Sequence, residues 1–161
     1  MRQIISLNRK WAFSKEATSV SSELPKLWNW VNLPHTWNAI DGQDGDSDYH
    51  RGTCYYVKEI DKLELPAADR YFLEINGANS SADVYVNGEK LAHHDGGYST
   101  WRVDVTEKLT PKTLLTIAVD NAPNDTVYPQ VADFTFYGGL YRNVNLIAVS
   151  ESHFELVENG T

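Results

Sequence analysis

Apolar and polar residues alternate with a period of two along most of this chain, and helical periodicity is almost absent. In Arg70–Asn76, Tyr71, Leu73 and Ile75 fall on one face. Val84 and Val86 share a face in Ala82–Gly88, with Asp83 and Tyr85 on the other. The same alternation runs through Thr53–Ile60, Arg102–Thr106, Leu114–Asp120 and Asn143–Ser150. Asn87-Gly88 separates two such runs and is a strong hairpin signal, because both central residues of a type I′ turn need positive φ. Many short strands punctuated by Gly, Pro, Asn and Asp predict an all-β, jelly-roll β-sandwich. Thr106–Leu115 reads as a short helical or irregular link, with Thr106 as cap and Pro111 as breaker. Leu33–Gly52 lacks alternation and reads as a long loop, a length associated with function.

Composition narrows the picture. A chain of 161 residues is one domain's length and can bury a core without staples. The net charge of −8 argues against a nucleic-acid partner, which needs a positive surface. No run approaches the ~20 apolar residues that cross a bilayer, and the first residues do not read as a signal peptide. Cys54 stands alone, so no intrachain disulfide can form and a cytoplasmic location is expected. Trp and Tyr, with five and nine copies, dominate the aromatics; they suit sugars or protein partners, and equally suit pleated surfaces.

Three stretches offer chemistry. His93-His94-Asp95 follows the hairpin, but alternation puts His93 and Asp95 on one face and His94 on the other. Two ligands are too few for zinc, so the expectation is structural: Gly96-Gly97 makes an irregular step or bulge, and Tyr98 and Trp101 pack after it. The acidic stretch Asp41–Asp48 spaces Asp44, Asp46 and Asp48 like the start of a calcium loop. Tyr49 and Tyr55 stand where such a loop needs Gly and Glu, which favours a solvated loop. Asp133 lies among Phe134, Phe136, Tyr137 and Tyr141, beside Gly138-Gly139. It could accept hydrogen bonds from sugar hydroxyls while the rings cover C–H faces, or cap a turn and pair with Arg142. Residue types alone leave these two readings equal. No nucleophile elbow, phosphate loop or zinc-protease motif is present, and no two carboxyls stand out as a hydrolytic pair.

Together, Val31–Asn38, Tyr49–Tyr56, Glu74–Thr106, Leu115–Asn121 and Ala132–Ile147 resemble the N-terminal sugar-binding domain of glycoside hydrolase family 2. They occur in that family's order and cover nearly the whole chain. The resemblance implies a jelly roll followed, in the parent enzyme, by an immunoglobulin-like domain and a (β/α)₈ barrel that carries the catalytic glutamates. Here no Asn-Glu pair of the acid/base type occurs and the chain ends where the second domain would begin, so a non-catalytic fragment is expected. The family pattern D-F-x-x-Y-x-G-[IL]-x-R reads "DFTFYGGLYR" here, which makes Asp133 the expected contact to a hydroxyl of the terminal sugar of a β-glycoside. Asn38 and Asp41, in "PHTWNAIDG", are further substrate-binding candidates, although many relatives carry Asp where Thr36 stands. Neither cofactor nor metal is implied. A β-galactosidase parent is favoured as the commoner activity, with a β-glucuronidase parent or an independent lectin-like module as alternatives. An oligomer contact in the full-length form is a further role open to the aromatics.

Overall fold

The computed structural model describes residues 2–41, 49–127 and 135–157. Among the described residues ten strands follow one another: β1 (Gln3–Ser6), β2 (Trp11–Ser14), β3 (Asn29–Val31), β4 (Thr53–Asp61), β5 (Arg70–Ile75), β6 (Ser81–Val86), β7 (Glu89–Asp95), β8 (Trp101–Asp104), β9 (Lys112–Asp120) and β10 (Val144–Val149). They form a four-stranded sheet in the order β1-β10-β5-β8 and a six-stranded sheet in the order β3-β2-β4-β9-β6-β7, with every pairing antiparallel. This is the jelly-roll β-sandwich that the alternation predicts. Apart from the pairs β2-β3 and β6-β7, neighbours in each sheet come from distant parts of the sequence, so β10 lies between β1 and β5.

Alternation decides what the sheets enclose. Tyr71, Leu73 and Ile75 of β5 meet Val84 and Val86 of β6 and Leu115, Ile117 and Val119 of β9 in one core. The opposite face of the four-stranded sheet is also covered, since Phe72 packs with Ile147, Val149 and Leu156. On that face Glu74 is buried, and the Arg102 guanidinium donates to its Oε2 from Nε and Nη2, each at 2.8 Å. A buried carboxylate needs such a partner, because desolvation alone would strongly disfavour its charge.

The expected hairpin forms at Asn87-Gly88, with φ of 52° and 85°. Two local expectations change. The register shift lies between Val84 and Tyr85, where Leu91 is the extra residue of β7, rather than at Gly96-Gly97; Gly96 supplies the irregular step with φ 114°. In the link before β9, Thr106–Lys108 is a single 3-10 turn whose cap position is Val105. The Thr106 hydroxyl instead donates to Asp104 at 2.6 Å and accepts the Tyr71 amide at 2.9 Å, which stitches β5 to β8.

Candidate functional site

At one end of the sandwich four separate segments close on one another. The loop 33–41 lies against residues 136–140, because the His35 and Trp37 amides donate to the carbonyls of Leu140 and Gly138. The third segment, 49–52, enters β4; the fourth is Asn121, one residue beyond β9. Beneath them sits an aromatic group. Phe13 of β2 contacts Tyr56 and His35 with ring centroids 4.8 and 4.7 Å apart, and stacks on Trp37 at 6.2 Å. Burial lowers the pKa of His35, with the nearby Lys15 adding to the effect, so the ring is held neutral beside the Tyr56 hydroxyl at 2.8 Å.

Asn38 is the hub of this end. Its amide donates to Asp41 Oδ2 at 2.9 Å and to the His50 carbonyl at 3.2 Å. Its oxygen accepts from the Gly138 amide at 2.8 Å and from Asn121 Nδ2 at 3.3 Å. An amide side chain has two donors and two acceptor positions, so this set uses all four. Asn121 extends the network to the His50 carbonyl at 3.1 Å and accepts the Gly52 amide at 2.9 Å. Gly138 is required by space: a Cβ there would lie 2.4 Å from the Trp37 ring and 2.7 Å from Asn121 Nδ2. Gly139, at φ 129°, would press a Cβ to 2.5 Å from the His35 carbonyl. The Gly-Gly pair therefore lets backbone replace side chain where the segments meet.

Of the expected sugar contacts, the structure brings Asn38 and Asp41 together. Asn38 has no exposed surface and spends its polar groups on the protein, so within this chain its place is that of a brace. Asp41 Oδ2 accepts from Asn38 and from the His50 amide at 3.0 Å, while Oδ1 is buried with no hydrogen-bond partner among the described residues. Asp133 lies outside the described residues, as do Asp44, Asp46 and Asp48 of the acidic stretch. Arg142, the alternative partner for Asp133, donates to the Tyr98 carbonyl at 2.8 Å and lies over the Tyr141 ring. Sequence reasoning missed Asn121, His50 and Trp37 as parts of this end. Trp37, Asn121 and His50 lay inside the stretches that carry the resemblance, but no spacing rule joins them.

The two histidines of the hairpin separate as alternation requires. His94 points inward, stacks on Trp101 at 4.9 Å and hydrogen-bonds Ser99; burial lowers its pKa. His93 points outward between two carboxylates, with Nδ1 2.6 Å from Asp83 and Nε2 3.2 Å from Asp95. The hydrogen bond to Asp83 raises its pKa, with Asp95 adding and desolvation opposing. Among the described residues no group of three or more His, Cys, Asp or Glu is placed to hold a metal ion.

Comparison with known proteins gives this geometry a family. The family described as "Glycosyl hydrolase 2 galactose-binding domain-like" matches residues 44–135, more than half of the chain. A β-glucuronidase of Bacteroides fragilis is 36% identical over 153 residues, covering 94% of this chain and 21% of the relative. A β-galactosidase of Thermoanaerobacterium thermosulfurigenes is 28% identical over 158 residues, with 91% and 21% covered. Among solved structures, an FMN-binding β-glucuronidase from Facaelibacterium prausnitzii L2-6 superposes with a TM-score of 0.86 at 42% identity, covering 99% of this chain and 24% of that one. The chain thus spans about a fifth of the length of the curated relatives it matches. Matched over more than half of its length and 36% identical to a relative across nearly all of it, this chain belongs to the glycosyl hydrolase 2 galactose-binding domain-like family.

Proposed function

We propose that this chain is the non-catalytic N-terminal domain of a β-glycosidase and that it completes the sugar pocket of its parent enzyme. The observation that carries this reading is the alignment: nearly the whole chain matches enzymes named β-glucuronidase or β-galactosidase, yet it covers only about a fifth of them. Hydrolysis belongs to the remaining domains, expected to be an immunoglobulin-like domain and a barrel. The sandwich contributes a rigid wall and a small number of acceptors. Asp133 is the principal acceptor, bonding a hydroxyl of the terminal sugar. Its segment re-enters the described structure at Thr135 and is locked at Gly138 through Asn38 and Trp37. Asp41, whose Oδ1 has no hydrogen-bond partner among the described residues, is the second acceptor, and Asn38 holds it in place.

The sugar favoured by the identities is a glucuronide, since the relatives at 36% and 42% are named β-glucuronidases, while a β-galactosidase stands at 28% and a "putative beta-galactosidase" at 33%. This reverses the lean that frequency within the family suggested. In the full-length enzyme Asp133→Ala should lower kcat/KM by about ten- to a thousandfold, the loss expected when a positioning hydrogen bond disappears. Unchanged kinetics would remove Asp133 from the site. The isolated chain should neither hydrolyse aryl β-glycosides nor bind galactose or glucuronate at millimolar concentration; binding by the isolated chain would favour the lectin-like alternative.

A further inference from the structure

The outer face of the six-stranded sheet holds a polar groove that the sugar-pocket reading does not use. Thr53, Ser81, Asp83, His93, Asp120 and Asn124 line it. His93 spans Asp83 and Asp95, and both partners are acceptors. An imidazole can donate to two acceptors at once only when both nitrogens carry protons. Asp95 is in turn the anchor of the segment that leaves β9. Its Oδ1 accepts from Ser81 at 2.6 Å and Asn124 at 3.2 Å, and its Oδ2 accepts from Thr126 at 2.9 Å. Asn124 then organises its own turn, accepting the Thr126 amide at its side chain and the Val127 amide at its carbonyl.

We propose that His93 is a pH-sensitive pin that, shared between Asp83 and Asp95, holds the Asn124–Val127 segment against the sheet. The neutral ring keeps one proton, and the 2.6 Å contact assigns it to Nδ1 and Asp83. The Nε2 lone pair then faces Asp95 Oδ1 at 3.2 Å, a repulsive pair of acceptors. Asp95 turns away from it and loosens its hold on Asn124 and Thr126. The groups facing this site are Asp83 and Tyr85 on β6, Lys90 and Asp95 on β7, Asp120 on β9 and Asp125 in the segment itself. Lys90 is committed to Asp83 at 2.7 Å and offsets only that carboxylate. Because the pKa of His93 is raised above its ordinary 6.5, the pin is fully engaged below that value and is released as pH rises through the higher one.

The segment runs straight into residues 128–134, so any effect on the sugar rests on the Asp133 reading, while the pin itself does not. The test uses the 161-residue chain and NMR between about pH 6 and about pH 9, around the ordinary histidine range. Exchange of the Thr126 and Val127 amides with water, corrected for intrinsic rates, should accelerate severalfold with a midpoint equal to that of the His93 ring. His93→Gln should abolish the transition, and Asp83→Asn should move it to lower pH together with the ring's midpoint. A flat profile in the unmodified chain, the same transition in H93Q, or a midpoint that does not follow the ring would overturn the proposal. Asp133→Ala should leave the transition in place, which separates failure of the pin from failure of the sugar-contact reading.

Discussion

The hairpin of β6 and β7 and the loop cluster around Asn38 are both polar, and they are built in opposite ways. The hairpin is made by neighbours in sequence: Asn87-Gly88 turns the chain, and Asp83, His93 and Asp95 then face one another across two adjacent strands. Its groups remain partly exposed, so each contact is screened by water and worth little to stability. The cluster draws on four segments spread from residue 33 to residue 140, and its groups are buried. There every hydrogen bond replaces one to water that the unfolded chain would keep, and a missing partner leaves a buried group unsatisfied. Polar residues at the hairpin are therefore free to act as a sensor, and those at the cluster act as a frame.

The sharpest way to break this contrast is to remove the hub. Asn38→Ala would strip partners from the Gly138 amide, Asp41 and Asn121 together, and should cost about 3 kcal/mol in denaturant unfolding. Cys54 provides a local readout. It is fully buried beside His50, and burial pushes its thiol up to about 12, with Lys15 opposing and Asp120 adding. In the native chain it should resist alkylation near pH 8, and Asn38→Ala should speed the labelling by about a hundredfold if the cluster opens as a unit. Next in size is Gly138→Ala. The rigid Trp37 ring cannot yield to a Cβ, and a loss of about 2 kcal/mol is expected in the same assay.

At the hairpin the effects should be smaller. Gly88→Ala adds a side chain at φ 85° with open space around it, so backbone strain alone should cost about 1 kcal/mol. His93→Gln should change stability by less than about 0.5 kcal/mol and leave Cys54 labelling unaltered. A hubward effect of H93Q on Cys54 would join the two regions and dissolve the contrast. The subtlest check is a titration. Adjacent residues should shift in opposite directions from the ordinary 6.5, with His93 above it because of Asp83 and His94 below it because of burial. Stability then falls below about pH 6.5 from His94, whose unfolded form takes up a proton that the folded form resists.

The division between local and distant assembly also explains what could be read in advance. Tyr71, Leu73, Ile75, Val84 and Val86 were assignable to one face because a strand repeats every two residues, a property of the chain itself. Opposite faces for His93 and His94 followed in the same way. Which of them points outward did not. Counting by twos from Lys90 would send His93 inward, but Leu91 is an extra residue, so Leu91 and Ala92 both pack toward the core and the parity flips. Asp83 as the partner of His93 depends on that register as well.

Asn38 shows the same limit at longer range. Its place in the "PHTWNAIDG" loop, through the family resemblance, suggested sugar contact; only the fold reveals that Gly138, Asn121, His50 and Asp41 consume its four hydrogen-bonding positions. By itself, the sequence determined the alternating strands from Thr53 onward, the turn at Asn87-Gly88, the all-β class and the family. Those rest on period-two patterning, positive-φ residues and motif order, all carried along the chain. Tertiary structure decided the face each hairpin histidine presents and the bracing role of Asn38. Burial and hydrogen-bond satisfaction are properties of groups brought together from distant positions, and they exist only once the sheets have closed.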